Sequence, residues 1–452
     1  MNVFQTFPLL AIWLLVLSAS VVQAQRGSLW DNPVFQKKLM GSFGFSSEVE
    51  PSLSDTEAED YRQIAPLLQS DPDEALKYLT ALRDLPDSSA RFDFLIGNVY
   101  FQKNDKEKAM ANFLLALSKF PDYRQAHSNL AILYVQSGKH ELAVRHFTEA
   151  IRLGSTDGTT YGLLAVSYLT LENYVAAEEA FRNAMVLNPE VKDWEMGLVR
   201  TLYAQQRYTD VISMLDRMIE KDPENDSLWA LQANAYLGKK EMLAAAANFE
   251  VMDQMGKLDP KLIATLGDIY VNEGMLDVAA EAYLRAYEKD KGAGASGPLR
   301  AAEILLSKEG YEAARGLLKR IRGDGGTLTP DDKKRVMKVE AKIAQADGDE
   351  DGAAKILTEL VTVDPLDGES LILLAKYHYA NDNNAKAAFY YESAAGITAF
   401  EADAKVAWAQ MLVAQGEYEE ARNKLKQAQD VNPRDSVGKF LEDLERFLKG
   451  RN

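Results

Sequence analysis

The spacing of small and aromatic residues constrains this chain more than any other feature. From Gly97-Asn98-Val99-Tyr100 the sequence runs to Ala109, Phe113 and Ala116 and ends the stretch at Pro121. The same residue types return 34 residues later as Ala131, Tyr134, Ala143, Phe147 and Ala150, and again as Ala165, Tyr168, Ala177, Phe181, Ala184 and Pro189. The register continues through Val199, Val211, Leu215, Met218 and Pro223, then Ala233, Tyr236, Ala245 and Phe249, then Gly267, Tyr270, Ala279, Tyr283 and Ala286. After a one-residue slip it resumes at Ala302, Ala314 and Leu318, and after an insertion at Ala341, Ala353, Leu357 and Pro365. The last two units carry Ala375, Ala387, Tyr391 and Ala394, then Ala409, Ala421, Ala428 and Pro433. A degenerate first unit is visible at Ala75, Leu79 and Leu82. Starts therefore fall near 56, 90, 124, 158, 192, 226, 260, 295, 334, 368 and 402, about eleven units in all.

Each unit holds two amphipathic stretches of roughly 13 residues, separated by short turns such as Gln136-Ser137-Gly138 or Gln415-Gly416-Glu417. A small residue in the first helix and an alanine early in the second let two antiparallel helices approach closely. Only Val211 departs from alanine at that second-helix position. Aromatic residues fill the space between neighbouring pairs, and proline at the unit's end stops the second helix because it lacks an N–H and clashes with the turn before it. One helical pair cannot bury its apolar face alone, so pairs must stack.

The period and the Gly/Ala…Tyr…Ala…Phe…Ala…Pro pattern resemble tetratricopeptide repeats over about residues 56 to 435. The resemblance implies an all-α, right-handed α-solenoid of helix-turn-helix units whose first helices line a concave groove. Residues 436–452 are expected to close it, since Phe440, Leu441, Leu444, Phe447 and Leu448 alternate with Lys439, Glu442, Asp443, Glu445 and Arg446 as in a capping helix. Gly-rich breaks at 291–298 and 323–326 flank the unit starting at 295. They read as long loops or as hinges, and suggest an N-terminal array over 56–294 and a C-terminal array over 295–435.

Residues 1–25 carry no charge, and the first ionisable side chain is Arg26. The apolar run from Phe7 to Val22 is short for a spanning helix of about 20 residues. Val22-Gln23-Ala24 offers small residues for cleavage, so 1–24 is expected to be a signal peptide, although its first six residues lack Lys and Arg. An uncleaved membrane anchor is the competing reading. Residues 25–55 then form an extension whose Trp30, Phe35, Phe43 and Phe45 either cap the first repeat or dock a partner.

Composition removes several function classes. With no cysteine, the chain has no disulfide, no thiolate-held metal and no thiol nucleophile. A net charge of −17 disfavours a general nucleic-acid binder and mildly favours a neutral or basic partner. His127, His140, His146 and His378 form no metal-binding spacing, and neither a phosphate-binding Gly-Lys loop nor a nucleophile elbow occurs. Gly292-x-Gly294-x-x-Gly297 follows a helical stretch rather than a strand and reads as a loop. The acidic run from Asp347 lacks the final glutamate of a calcium loop, because Thr358 stands there. No catalytic, cofactor or metal site is expected.

What remains is binding. By the groove-facing positions of the repeat class, the resemblance assigns a lining of Phe94, Asn98, Phe101, Ile132, Val135, Val166, Leu169, Met196, Arg200, Tyr203, Asn234 and Leu237. Apolar patches with isolated amides suit an extended peptide or a partner helix. The carboxylate clamp of chaperone-binding members is tested residue by residue. Asn98 and Asn129 match its two amides, while Phe94, Thr159 and Leu163 stand where it needs bases, so the clamp is absent. The expectation is a non-enzymatic, exported scaffold of the periplasm or cell envelope that binds a protein partner. It is similar to bacterial envelope tetratricopeptide proteins, some of which accompany TonB-type transport or envelope assembly. A membrane-anchored assembly factor, or a glycan-binding protein or enzyme accessory working through the extension, is the alternative.

Overall fold

A computed structural model describes residues 50–290, 292, 294–323 and 328–450. The leader at 1–24, the aromatics of the extension and most of the break at 323–326 lie outside the described residues.

The described chain is helical throughout, and its first helices begin within a residue of the places the repeat register gives them, except that the one expected near 334 begins four residues earlier, at Pro330. They span Ala90–Gln102, Arg124–Gln136, Gly158–Thr170, Lys192–Ala204, Asp226–Gly238 and Pro260–Asn272, then Ser296–Ser307, Pro330–Ala346, Gly368–Ala380 and Glu401–Gln415. Each is followed by a second helix, and in every unit but the one opened by Lys192–Ala204 the two are seen packed closely together. The degenerate first unit is split, with Asp55–Ile64 and the short turn Leu67–Ser70 ahead of Pro72–Arg83. Pro66, which has no N–H to donate, stands at that split.

Local chemistry starts and stops these helices. Ser54 and Glu57 form a reciprocal capping box, and Thr329 with Asp332 forms another ahead of Pro330 at the first helical position. Asp105, Asp157, Asn173 and Asp259 each accept a backbone N–H of the first turn. Between the two helices of a unit, one residue takes the left-handed conformation at a fixed place: Asn104, Gly138, Glu172, Gln206, Lys240 and Gly274. The next N–H returns into the first helix, as from Lys139 to the Tyr134 carbonyl (2.8 Å) and from Met275 to the Tyr270 carbonyl (2.8 Å).

The close approach expected at small residues is present. A Cβ added to Gly97 would lie 2.6 Å from the Phe113 ring, and one added to Gly197 would lie 2.4 Å from Phe181. The second-helix residues Ala75, Ala109, Ala143, Ala177, Val211, Ala245, Ala279, Ala314, Ala387 and Ala421 have no exposed surface at all.

Two compact units divide at Met218/Ile219, inside the helix Tyr208–Lys221, rather than at the Gly-rich break near 295. In the first unit, Ile64, Leu68, Ala75, Leu79, Phe92 and Leu95 form a core at its beginning. In the second unit one cluster of buried residues runs from Ala233 past Ala295 and Leu299 to Ile343, so packing continues across that break. The helix Asp435–Lys449 ends the second unit with Val437 and Leu444 buried, while Phe447 rests on Tyr418 (4.8 Å between ring centres) and stays half exposed. This is the amphipathic end cap expected from 436–452.

Candidate binding face

In the first unit the first helices place the expected lining residues in two different environments. Phe94 is 5% exposed, with ring centres 5.6 Å from Phe113 and 4.8 Å from Tyr123. It is therefore a packing residue. Ile132 is buried as well, so neither side chain is offered to a ligand, which corrects the expected lining at these two positions. Asn98, Phe101, Val135, Val166, Leu169, Met196, Arg200 and Tyr203 are half-buried. Such side chains keep one edge open while their stems are fixed by packing.

The polar members differ in how far their bonding is satisfied. Asn129 donates to the Asn98 carbonyl oxygen at 2.8 Å, joining first helices of neighbouring repeats. The two amides that match the clamp thus bind one another, and Thr159 and Leu163 at its missing basic positions are buried. Arg200 is the reverse case. Its Nε and Nη1 are buried and have no hydrogen-bond partner among the described residues. Burial depresses the Arg200 guanidinium, opposed by Asp193 seven residues earlier on the same helix; burial raises Asp193 in turn, opposed by Arg200. Leaving buried N–H groups unbonded costs about 1–3 kcal/mol each. Beside Arg200 on this helix, Tyr203 meets Tyr208 edge-on with ring centres 5.3 Å apart, and burial raises its phenol.

In the second unit Asn234 and Leu237 are half-buried, and Leu237 packs against that unit's core cluster. Among the described residues no group of three or more His, Cys, Asp or Glu side chains is placed to hold a metal ion.

Residues that the repeat register did not mark come together elsewhere. His127 and His146 meet with their Nδ1 atoms 2.9 Å apart, and Glu50 reaches both Arg91 and Arg124. Sequence spacing could flag neither. The histidines lie on different helices of one pair, and Glu50 precedes the first repeat.

Tetratricopeptide-repeat family profiles match residues 68–124, 128–190 and 339–402, and a second such profile matches 168–235, together just over half of the chain. The chain belongs to the tetratricopeptide-repeat family. As members of that family do, it supplies a protein-interaction scaffold. It is 24% identical over 184 residues to cell division cycle protein 27 homolog B of Arabidopsis thaliana, a match covering 41% of this chain and 25% of that protein. The chain thus spans only about a quarter of that relative's length. Among solved structures it is similar to MamA, at 20% identity and TM-score 0.35, covering 37% of this chain and 92% of that one. It is also similar to YrrB, described as a TPR protein with an unusual peptide-binding site, at 19% identity and TM-score 0.37, covering 39% and 91%. A complex of Naa15/Naa10 bound to HypK-THB matches at 14% identity and TM-score 0.47, covering 86% of this chain and 66% of that one.

Proposed function

We propose that this tetratricopeptide-repeat protein is an exported, non-enzymatic scaffold that holds a partner peptide or helix on its first-helix face, with Arg200 as an anchor. The observation that carries the reading is the guanidinium whose buried donors lack partners, on the helix that also carries half-buried Met196 and Tyr203. An extended segment supplies backbone carbonyls or a carboxylate for such donors and apolar side chains for the surfaces beside them. The periplasm or cell envelope is the proposed location, and it rests on the uncharged leader at 1–25. Among the described residues no helix is long and apolar enough to cross a membrane.

A random peptide library panned on the full chain tests the binding face. Enriched peptides are expected to lose at least about tenfold in affinity, roughly 1.4 kcal/mol, against Arg200→Ala and against Leu169→Asp. Enrichment that ignores both substitutions, or no enrichment, overturns the reading.

A further inference from the structure

The chain buries a carboxylate of its own between two first helices. Glu50 stands ahead of the first repeat, yet its side chain is only 2% exposed. Its Oε2 lies 3.3 Å from Arg91 Nη2 and its Oε1 3.4 Å from Arg124 Nη2. Arg91 is the second residue of Ala90–Gln102 and Arg124 opens Arg124–Gln136, so one carboxylate bridges two neighbouring repeats. Tyr123, 1% exposed, accepts a hydrogen bond from Arg91 and helps to fix that guanidinium. Pro51, next along the chain from Glu50, is buried. Ser89 donates to the Ser52 carbonyl at a long 3.4 Å, and Leu53 touches the first core cluster. A cleft of about 630 Å³ opens beside it, lined by Pro51, Leu53, Tyr61, Arg62 and Arg91.

We infer that Arg91 and Arg124 form a carboxylate-binding subsite for an acidic, extended peptide, kept filled by Glu50 until a partner displaces it. Two guanidiniums facing one carboxylate leave the empty site doubly positive in a protein whose net charge is −17. A buried pair of this kind adds little net stability, because desolvation of the charges offsets most of their attraction. It does define a geometry, since charge-assisted bonds from a guanidinium's planar donor fork favour a carboxylate over a neutral acceptor. A tethered occupant acts at an effective concentration in the millimolar range, so a free peptide binds weakly until Glu50 is neutralised. The inference rests on the reading that first helices form the binding face. Its probe is the chain's own segment, so its failure leaves the Arg200 test intact.

The probe is a labelled synthetic peptide with the sequence of residues 46–55, followed by fluorescence anisotropy on the full chain. Glu50→Gln is expected to bind it at least about tenfold more tightly than the wild type. Adding Arg124→Gln returns binding to the wild-type level, and a probe carrying Gln in place of its central Glu does not bind. Equal affinity in wild type and Glu50→Gln, or binding that survives Arg124→Gln, overturns the inference and leaves Glu50 a structural tie. If Glu50→Gln fails to fold, hydrogen exchange on the wild-type chain decides instead. Saturating peptide is expected to quicken exchange at residues 52–57, and unchanged exchange overturns the inference.

Discussion

His127 Nε2 lies 2.9 Å from the Pro121 carbonyl, which can only accept, so that nitrogen carries the proton. His127 Nδ1 is then the acceptor and His146 Nδ1 the donor of the 2.9 Å bond between them. Burial first, and His127 second, push His146 down to about 4, so His146 is neutral in the folded protein near neutral pH. In the unfolded chain His146 returns to about 6.5 and binds a proton more readily. Stability from this pair is therefore complete above about pH 6.5 and falls as pH drops towards 4, by on the order of 2 kcal/mol. Denaturant titrations from pH 7 to 4 should show that loss in the wild type and much less of it in His146→Gln. None of this was legible in the sequence, where the two histidines lie 19 apart with no motif. Only the antiparallel packing of Arg124–Gln136 against His140–Arg152 joins them. Phe94 and Ile132 mark the same limit from the other side. A register position names a helix face, but depth on that face depends on neighbours such as Tyr123, which the register does not weigh.

At the level of the helical pair, alanine and glycine spacing located nearly every helix, because close approach admits few residue types and so leaves a periodic trace. Ala143 is wholly buried, and Ala143→Leu forces extra volume between helices; urea unfolding should show about 1–3 kcal/mol of destabilisation. The left-handed turn position was only half legible, since Gly138 and Gly274 advertise it but Glu172, Gln206 and Lys240 do not. A side chain there crowds the following carbonyl. Gly274→Ala, at φ +76°, is expected to cost about 1 kcal/mol, and Gln206→Gly, at φ +59°, to gain a few tenths of a kcal/mol up to about 1. Thermal melts of the two variants should move in opposite directions, and equal shifts would show that the turn is not strained. The divide at Met218/Ile219 left no such trace, for the repeat spacing runs through it unchanged from Val211 and Leu215 to Ala245 and Phe249.

For the molecule as a whole, the family and its helical pairs followed from the sequence, whereas location and partner rest on proposals. Export makes one direct prediction: mass spectrometry of the mature protein should find its N-terminus at Gln25, and an intact Met1 in the membrane fraction would contradict it. The central claim is that partners bind the first-helix face. A photocrosslinking amino acid placed in the cell at Leu169 or Tyr203 tests it most directly, with Val175 and Val186, 77% and 81% exposed on a second helix, as controls. The expected result is a discrete protein adduct from Leu169 and Tyr203 and none from the controls. Adducts from Val175 and Val186 alone, or equally from all four positions, would contradict it.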